Sequence, residues 1–210
     1  MFILFNFILL IIIKCTDGYT VQFLSNEQTD TNDFIVSQKF YRKFQEPTTF
    51  SIAGESDTYT KVTGFTAAFS HSEPLLYKIK FDAICHNPNG AIWMFPRIMV
   101  NDYLIYNDKL IQNTADRYKS IPGYTDIHSF DHIGVGQYAF FTTIATTITK
   151  TELIYLQPGL HVIDVAARAK GTMPVHIYQG VLTIELVRFR NGANVGEMTP
   201  INVTSINSNE

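Results

Sequence analysis

Cysteine is nearly absent: the 210 residues hold only Cys15 and Cys85, so a hydrophobic core rather than a disulfide framework must carry the fold. Charge is scarce as well. Only 17% of residues are charged, and 16 Lys and Arg against 19 Asp and Glu leave a formal net charge of -3. There is no basic run, which excludes the electrostatic footprint of a nucleic-acid or anionic-lipid binder. The glycines form no nucleophile elbow, dinucleotide turn or phosphate loop, since Gly134-Val-Gly136 stands alone with no helix after it. The reading is therefore of a non-enzyme without a cofactor. Internal repeats, heptads and Pro/Gly/Ser-rich linkers are missing too, so one domain is expected.

Long apolar runs are confined to the first thirteen residues, Met1 to Ile13, too short for the roughly 20 residues of a membrane-spanning helix. The segment reads as a signal peptide, residues 1–18, with Thr16 and Gly18 as the small residues before the cleavage point. A secreted, extracellular protein with no membrane span after cleavage follows. Cys15 leaves with the leader, and Cys85 remains as a lone thiol. Asn202-Val-Thr204 is a glycan acceptor sequon in the tail.

What the chain has in abundance is β-branched side chains, with 24 Ile, 12 Val and 22 Thr against 13 Leu and 12 Ala, a balance that favours strands over helices. Short strands are expected at 19–24 and 34–36. Phe65, Ala67 and Phe69 alternate, as do Tyr77, Ile79, Phe81, Ala83 and Cys85 against Lys78, Lys80 and Asp82, the pattern of one buried and one wet face. Pro96 interrupts the run 91–100, which predicts an edge strand or a bulge there. Asn101-Asp102 predicts a tight hairpin turn into 103–106. Further strands are expected at 138–148, 152–156, 160–168, 174–178 and 181–189, and residues 107–137 form the longest irregular stretch, with a short helical turn at 111–118. About nine or ten strands and no long helix make an all-β fold, a single-domain antiparallel β-sandwich of jelly-roll type over 19–190. Residues 191–210 form a flexible tail.

Leu156-Gln-Pro-Gly-Leu-His-Val-Ile-Asp-Val165, followed after a turn by Gly180-Val-Leu-Thr-Ile-Glu-Leu-Val187, resembles the closing strands of jelly-roll domains of the tumour-necrosis-factor and complement globular-head type. The resemblance covers about 35 residues. It implies an extracellular, non-catalytic module that binds proteins or glycans and assembles as a homotrimer.

Candidate site residues concentrate in the irregular stretch. Asp126-Ile-His-Ser-Phe-Asp-His132 brings two carboxylates and two imidazoles within seven residues, and on a helical turn His128 and His132 would share a face at a spacing one zinc or copper ion could bridge. Asp126, His128, Asp131 and His132 are therefore the candidate metal ligands. The residues between the two histidines do not match a HEXXH protease. Tyr118 and Tyr124, flanked by Arg117, Lys119, Pro122 and Gly123, are the candidate ligand-binding aromatics because Tyr offers large contact area on a surface loop. Cys85 and His86 are adjacent but should face opposite ways. Asp164 and Glu185 are expected on wet faces, paired with Arg168 and Arg188. Val162, Ala166 and Val187 on nominally wet faces motivate an oligomer. The favoured function is a secreted, non-enzymatic sandwich that recognises a protein or glycan through 107–137, with a secreted hydrolase or metal-dependent enzyme using 126–132 as the alternative.

Overall fold

Strand β5 (Leu75–Asn87) shows how the side-chain pattern becomes a sandwich. Its Tyr77, Ile79, Phe81 and Cys85 are fully buried, while Lys78 and Lys80 project outward, as a period of two requires. Cys85 Sγ lies 3.1 Å from Met94 Sδ in the interior, and burial pushes the thiol up to about 12. His86 is on the opposite face, as expected. This architecture is seen in a computed structural model, which describes residues 35–88, 91–107, 109–134, 137–171 and 174–189. The expected leader, the strand at 19–24, the tail from 191 and Asn202 lie outside the described residues.

Twelve strands among the described residues form two antiparallel sheets. The first sheet runs β1 (Ile35–Phe44), β12 (Val175–Phe189), β5 and β10 (Ile144–Leu156), and β2 (Thr49–Ile52) extends the β1 edge by pairing with β12. The second runs β3 (Thr60–Lys61), β11 (Gly159–Lys170), β6 (Ile92–Val100), β7 (Tyr103–Tyr106) and β8 (Lys109–Gln112). There β4 (Ala67–His71) pairs with β11 and β9 (Tyr138–Phe140) with β6. The pairing is nested. β1 pairs with β12, β4 with β11, β5 with β10 and β6 with β9, and successive pairs fall in alternate sheets. A ribbon of antiparallel pairs rolled up in this way is a jelly roll. The strand count exceeds the expected nine or ten because β3, β8 and β9 are only two to four residues long.

The turn at Asn101-Asp102 forms as expected: both residues have positive φ, 50° and 70°, and Val100 pairs with Tyr103, the geometry that short polar side chains tolerate in a two-residue hairpin. Pro96 carries a correction and its reason. β6 is an interior strand, but β9 meets it only at 92–94 and β7 only at 99–100. Pro96 pairs with Ala167 on the β11 side and sits where the other flank has no strand, so its missing N–H leaves no ladder bond unmade. At the free edge of β10, the Tyr138 hydroxyl accepts from Thr149 N at 2.7 Å and donates to Thr149 O at 2.8 Å. A side chain from the second sheet thereby occupies an exposed strand edge.

The main core fills the space between the sheets and includes Phe65, Tyr77, Ile79, Phe81, Met94, Ile98, Val165 and Ile184. A second core lies outside the second sheet: Tyr59, Phe95, Met99, Leu104, Tyr106, Ile111, Phe130 and Ala166 pack together, with Trp93, Tyr118, Ile121, Tyr124 and Ile133 against them. The stretch 107–137 is what covers that face. It is not irregular throughout but contains β8, a 3-10 turn at Arg117–Ser120 and helix α1 (Ile127–Asp131), and the expected helical turn at 111–118 is displaced accordingly. No described helix is long and apolar enough to cross a membrane.

Candidate functional site

Under the 107–137 segment two guanidiniums bind one carboxylate, and a third reaches the backbone carbonyls beside it. Arg97 comes from β6, Arg168 from β11, Arg117 from the 3-10 turn and Asp131 from the end of α1, and all four are at most 1% exposed. Arg117 binds Asp131 in a fork, Nε to Oδ1 at 2.9 Å and Nη2 to Oδ2 at 2.5 Å, the geometry that matches a planar guanidinium to a carboxylate. Arg168 Nε and the Tyr106 hydroxyl also donate to that carboxylate. Arg97 Nη2 donates to the carbonyls of Asp131 at 2.7 Å and Ile133 at 2.6 Å. The remaining donors reach backward along the chain: Arg117 Nη1 to Asp57 O and Thr114 O, and Arg168 Nη1 to Ser56 O.

Aromatic faces complete the cage. Arg97 stacks 4.6 Å from the Tyr106 centroid, Arg117 4.9 Å from Tyr59 and Arg168 4.4 Å from Phe95, so the excess positive charge rests against π-electron density. Burial holds the Tyr59 and Tyr106 hydroxyls above their ordinary value, which keeps both phenols neutral donors. Burial pushes Arg117 down, and the hydrogen bonds and charge of Asp131 outweigh it. The Asp131 carboxylate and the guanidiniums of Arg117 and Arg168 are turned on other parts of the chain. The cluster is a clasp that ties 56–57 and 114–133 to the outer face of the second sheet.

This placement separates the four expected metal ligands. Asp126 caps α1, accepting from His128 N and Ser129 N at 2.9 Å each, as an acidic N-cap does. Those hydrogen bonds hold its carboxyl below the usual range. Asp131 is the anion of the clasp. His128 Nδ1 lies 3.3 Å from Arg168 Nη2, and His132 packs 5.1 Å from Trp93 and 5.5 Å from Phe95. Among the described residues no three His, Cys, Asp or Glu side chains are placed to hold a metal ion. Tyr118 and Tyr124 are half-buried against the second core, and Tyr124 meets Phe130 edge-on at 5.4 Å. They anchor the segment rather than standing clear of it.

The expected pairings of the late strands also change. Arg168 serves Asp131, and buried Asp164 is met instead by Lys61 at 2.8 Å and the Thr66 hydroxyl at 2.6 Å. Arg188 pairs with Glu73 at 3.2 Å, and Glu185 with Lys78 at 3.4 Å. Asp164 and Glu185 lie in different sheets. Of the three nominally wet apolar residues, Ala166 is buried in the second core and Val187 is buried in its strand.

The first sheet's outer face is the contrasting surface, because no described element packs over it. Opposite pairs Tyr155 and Leu76, Leu153 and Lys78, and Val187 and Gln38 place an apolar group at one end of that face. Leu153 is 55% and Tyr155 53% exposed. Alternation along 144–156 would have flagged these two as outward-facing.

No protein-family model matches the sequence, and no curated protein matches it. Among solved structures, the chain is similar to Eiger TNF from S. frugiperda, with a TM-score of 0.35 and 10% identity over 72% of this chain and 93% of that one. It is also similar to a chain of infectious bursal disease virus, Gx strain, with a TM-score of 0.37 and 9% identity over 85% of this chain and 42% of that one. A second particle structure of that virus gives a TM-score of 0.34 and 11% identity, covering 83% and 38%. The architecture itself rests on the strand pairing described above.

Proposed function

We propose that this chain is a secreted, non-catalytic jelly-roll module that recognises a protein or glycan and assembles as a homotrimer, using the outer face of the first sheet. The observation that carries the reading is the difference between the two outer faces. One is covered by a segment clasped through the buried Arg117, Asp131 and Arg168. The other carries Leu153 and Tyr155, each more than half exposed, beside half-buried Leu76. Contiguous apolar surface of this kind marks an interaction site. The trimer is the assembly that the tumour-necrosis-factor-type resemblance of residues 156–187 implies, and a closed ring would bury the same patch on every copy. The leader at 1–18 and the sequon at Asn202 support an extracellular setting.

Light scattering on the secreted protein after size exclusion tests the assembly. A trimer at micromolar concentration is expected for the wild type, and a folded monomer, its thermal midpoint no longer dependent on concentration, for Leu153→Glu combined with Tyr155→Glu. A wild-type monomer, or a trimer indifferent to both substitutions, would overturn the reading.

A further inference from the structure

Two glycines bracket helix α1 within the segment that covers the second sheet. Gly123 has φ 96° and Gly134 φ 73°, both in the left-handed region that other residues avoid, and a Cβ at Gly123 would meet nothing within 4 Å. Between them, residues 124–133 hold to the sheet through Phe130 in the second core and through Asp131 on Arg117 and Arg168. The carbonyls of Asp131 and Ile133 add their bonds to Arg97.

One more contact joins α1 to β11, and it depends on an imidazole. Arg168 Nη2 lies 3.3 Å from His128 Nδ1. A guanidinium can only donate, so Nδ1 accepts and the proton of the neutral ring sits on Nε2. A second proton must go to Nδ1, where it faces an N–H of Arg168: the hydrogen bond is lost and two cations stand at contact distance. The same guanidinium holds Asp131 through Nε and Ser56 O through Nη1, so a displacement of Arg168 is felt at the centre of the clasp. The charged groups around His128 are Arg168 and Lys170 of β11, Asp57 of the adjoining loop and Asp126 at the cap of α1. Behind them stand Arg97 of β6 and Arg117 of the 3-10 turn, both attracted by Asp131. Burial, then Lys170 and Arg168, hold the imidazole below its ordinary value against the pull of Asp126 and Asp57.

We propose that His128 is an acid-sensitive catch for α1: protonation turns its contact with Arg168 from a hydrogen bond into a repulsion, and residues 124–133 swing out on Gly123 and Gly134 to uncover apolar surface of the second sheet. The surface beneath is aromatic. Phe130 lies 4.6 Å from the Tyr106 ring, and His132 lies 5.1 Å from Trp93 and 5.5 Å from Phe95. It is separate from the surface proposed on the first sheet and is offered only in acid. The open form takes up the proton more readily than the closed form, so opening is favoured as pH falls below the unfolded value of about 6.5, by at most about tenfold per pH unit.

The test is hydrogen exchange followed by mass spectrometry on the full-length secreted protein at about pH 7.5 and about pH 5, either side of the histidine range, corrected for the intrinsic pH dependence of exchange. Residues 124–133 are expected to lose about threefold or more of their protection at the lower pH, reversibly, while β5 and β12 keep theirs. His128→Gln retains an acceptor for Arg168 without the charge and should abolish the response, whereas His132→Gln, in the same segment, should retain it. A folded His128→Lys protein should show the open pattern already at the higher pH. The wild-type comparison stands whether or not the variants fold. No loss of protection in the wild type, the same loss in His128→Gln, or an equal loss across β5 and β12 would each overturn the catch.

Discussion

Asp131 shows how much one side chain decides here. Its carboxylate faces Arg117, Arg168 and the Tyr106 hydroxyl with no water-exposed surface. Removing one partner of such a buried group leaves uncompensated charge, which costs about 3–5 kcal/mol. Asp131→Ala should therefore lower stability by about that amount in urea denaturation, whereas loss of a surface ion pair such as Arg188–Glu73 should be close to silent. A loss near zero for Asp131→Ala would show that the guanidiniums do not depend on it. Cys85 gives a second residue-scale outcome. With its thiol raised by burial to about 12, thiolate is scarce at neutral pH, so maleimide or disulfide reagents should label the protein only in denaturant. Fast labelling of the native protein would mean that β5 opens. Cys85 was legible in the sequence, because alternation along 75–85 places it inward. The clasp was not: Asp131 read as a candidate metal ligand, and Arg168 as a wet-face partner for Asp164. The usable signal was Arg97, a charge in the middle of the apolar run 92–100, which in a buried strand demands a partner.

At the scale of elements, what could be read from the sequence was what has a period. β4, β5, β11 and β12 bury the alternating residues expected of them, and the Asn101-Asp102 hairpin follows from turn chemistry. The 107–137 segment has no period because it is held by caps and ion pairs, namely Asp126 on α1, Asn113 on both the N–H and the C=O of Tyr59, and Arg117 on Asp131. Local sequence cannot show that β11 has a covered second face, so Ala166 read as wet. The metal-ligand reading failed to assemble for the same reason: α1 is only five residues long, and its histidines are drawn to Arg168 and Trp93 instead. His128 supplies a pH-dependent outcome. Burial, then Lys170 and Arg168, hold its imidazole below the ordinary 6.5. As pH falls the unfolded chain takes up that proton first, so the stability from neutral His128 is complete above about pH 6.5 and is lost as pH drops through the lower folded value. His128→Gln should therefore show a smaller drop in thermal midpoint than wild type between about pH 7.5 and about pH 5. Parallel pH profiles would remove His128 from the account.

For the whole molecule, the nested strand pairing gives two sheets with the same inward logic and opposite outward fates. The second sheet is closed by its own chain, and its loop aromatics Tyr118 and Tyr124 are spent on that closure. The first sheet has an outer face over which no described element packs, with Leu153 and Tyr155 on its β10 edge. A recognition surface on the outer face of the second sheet would require the segment to be free, whereas the clasp closes that face. Hydrogen exchange followed by mass spectrometry over residues 114–134 distinguishes these most directly. Slow exchange comparable to β6 and β11 in the wild type, becoming fast in Asp131→Ala while β5 and β12 stay protected, is the predicted result. Fast exchange across 114–134 in the wild type would contradict the account, since the segment would then be a mobile loop and the second sheet's outer face would be open.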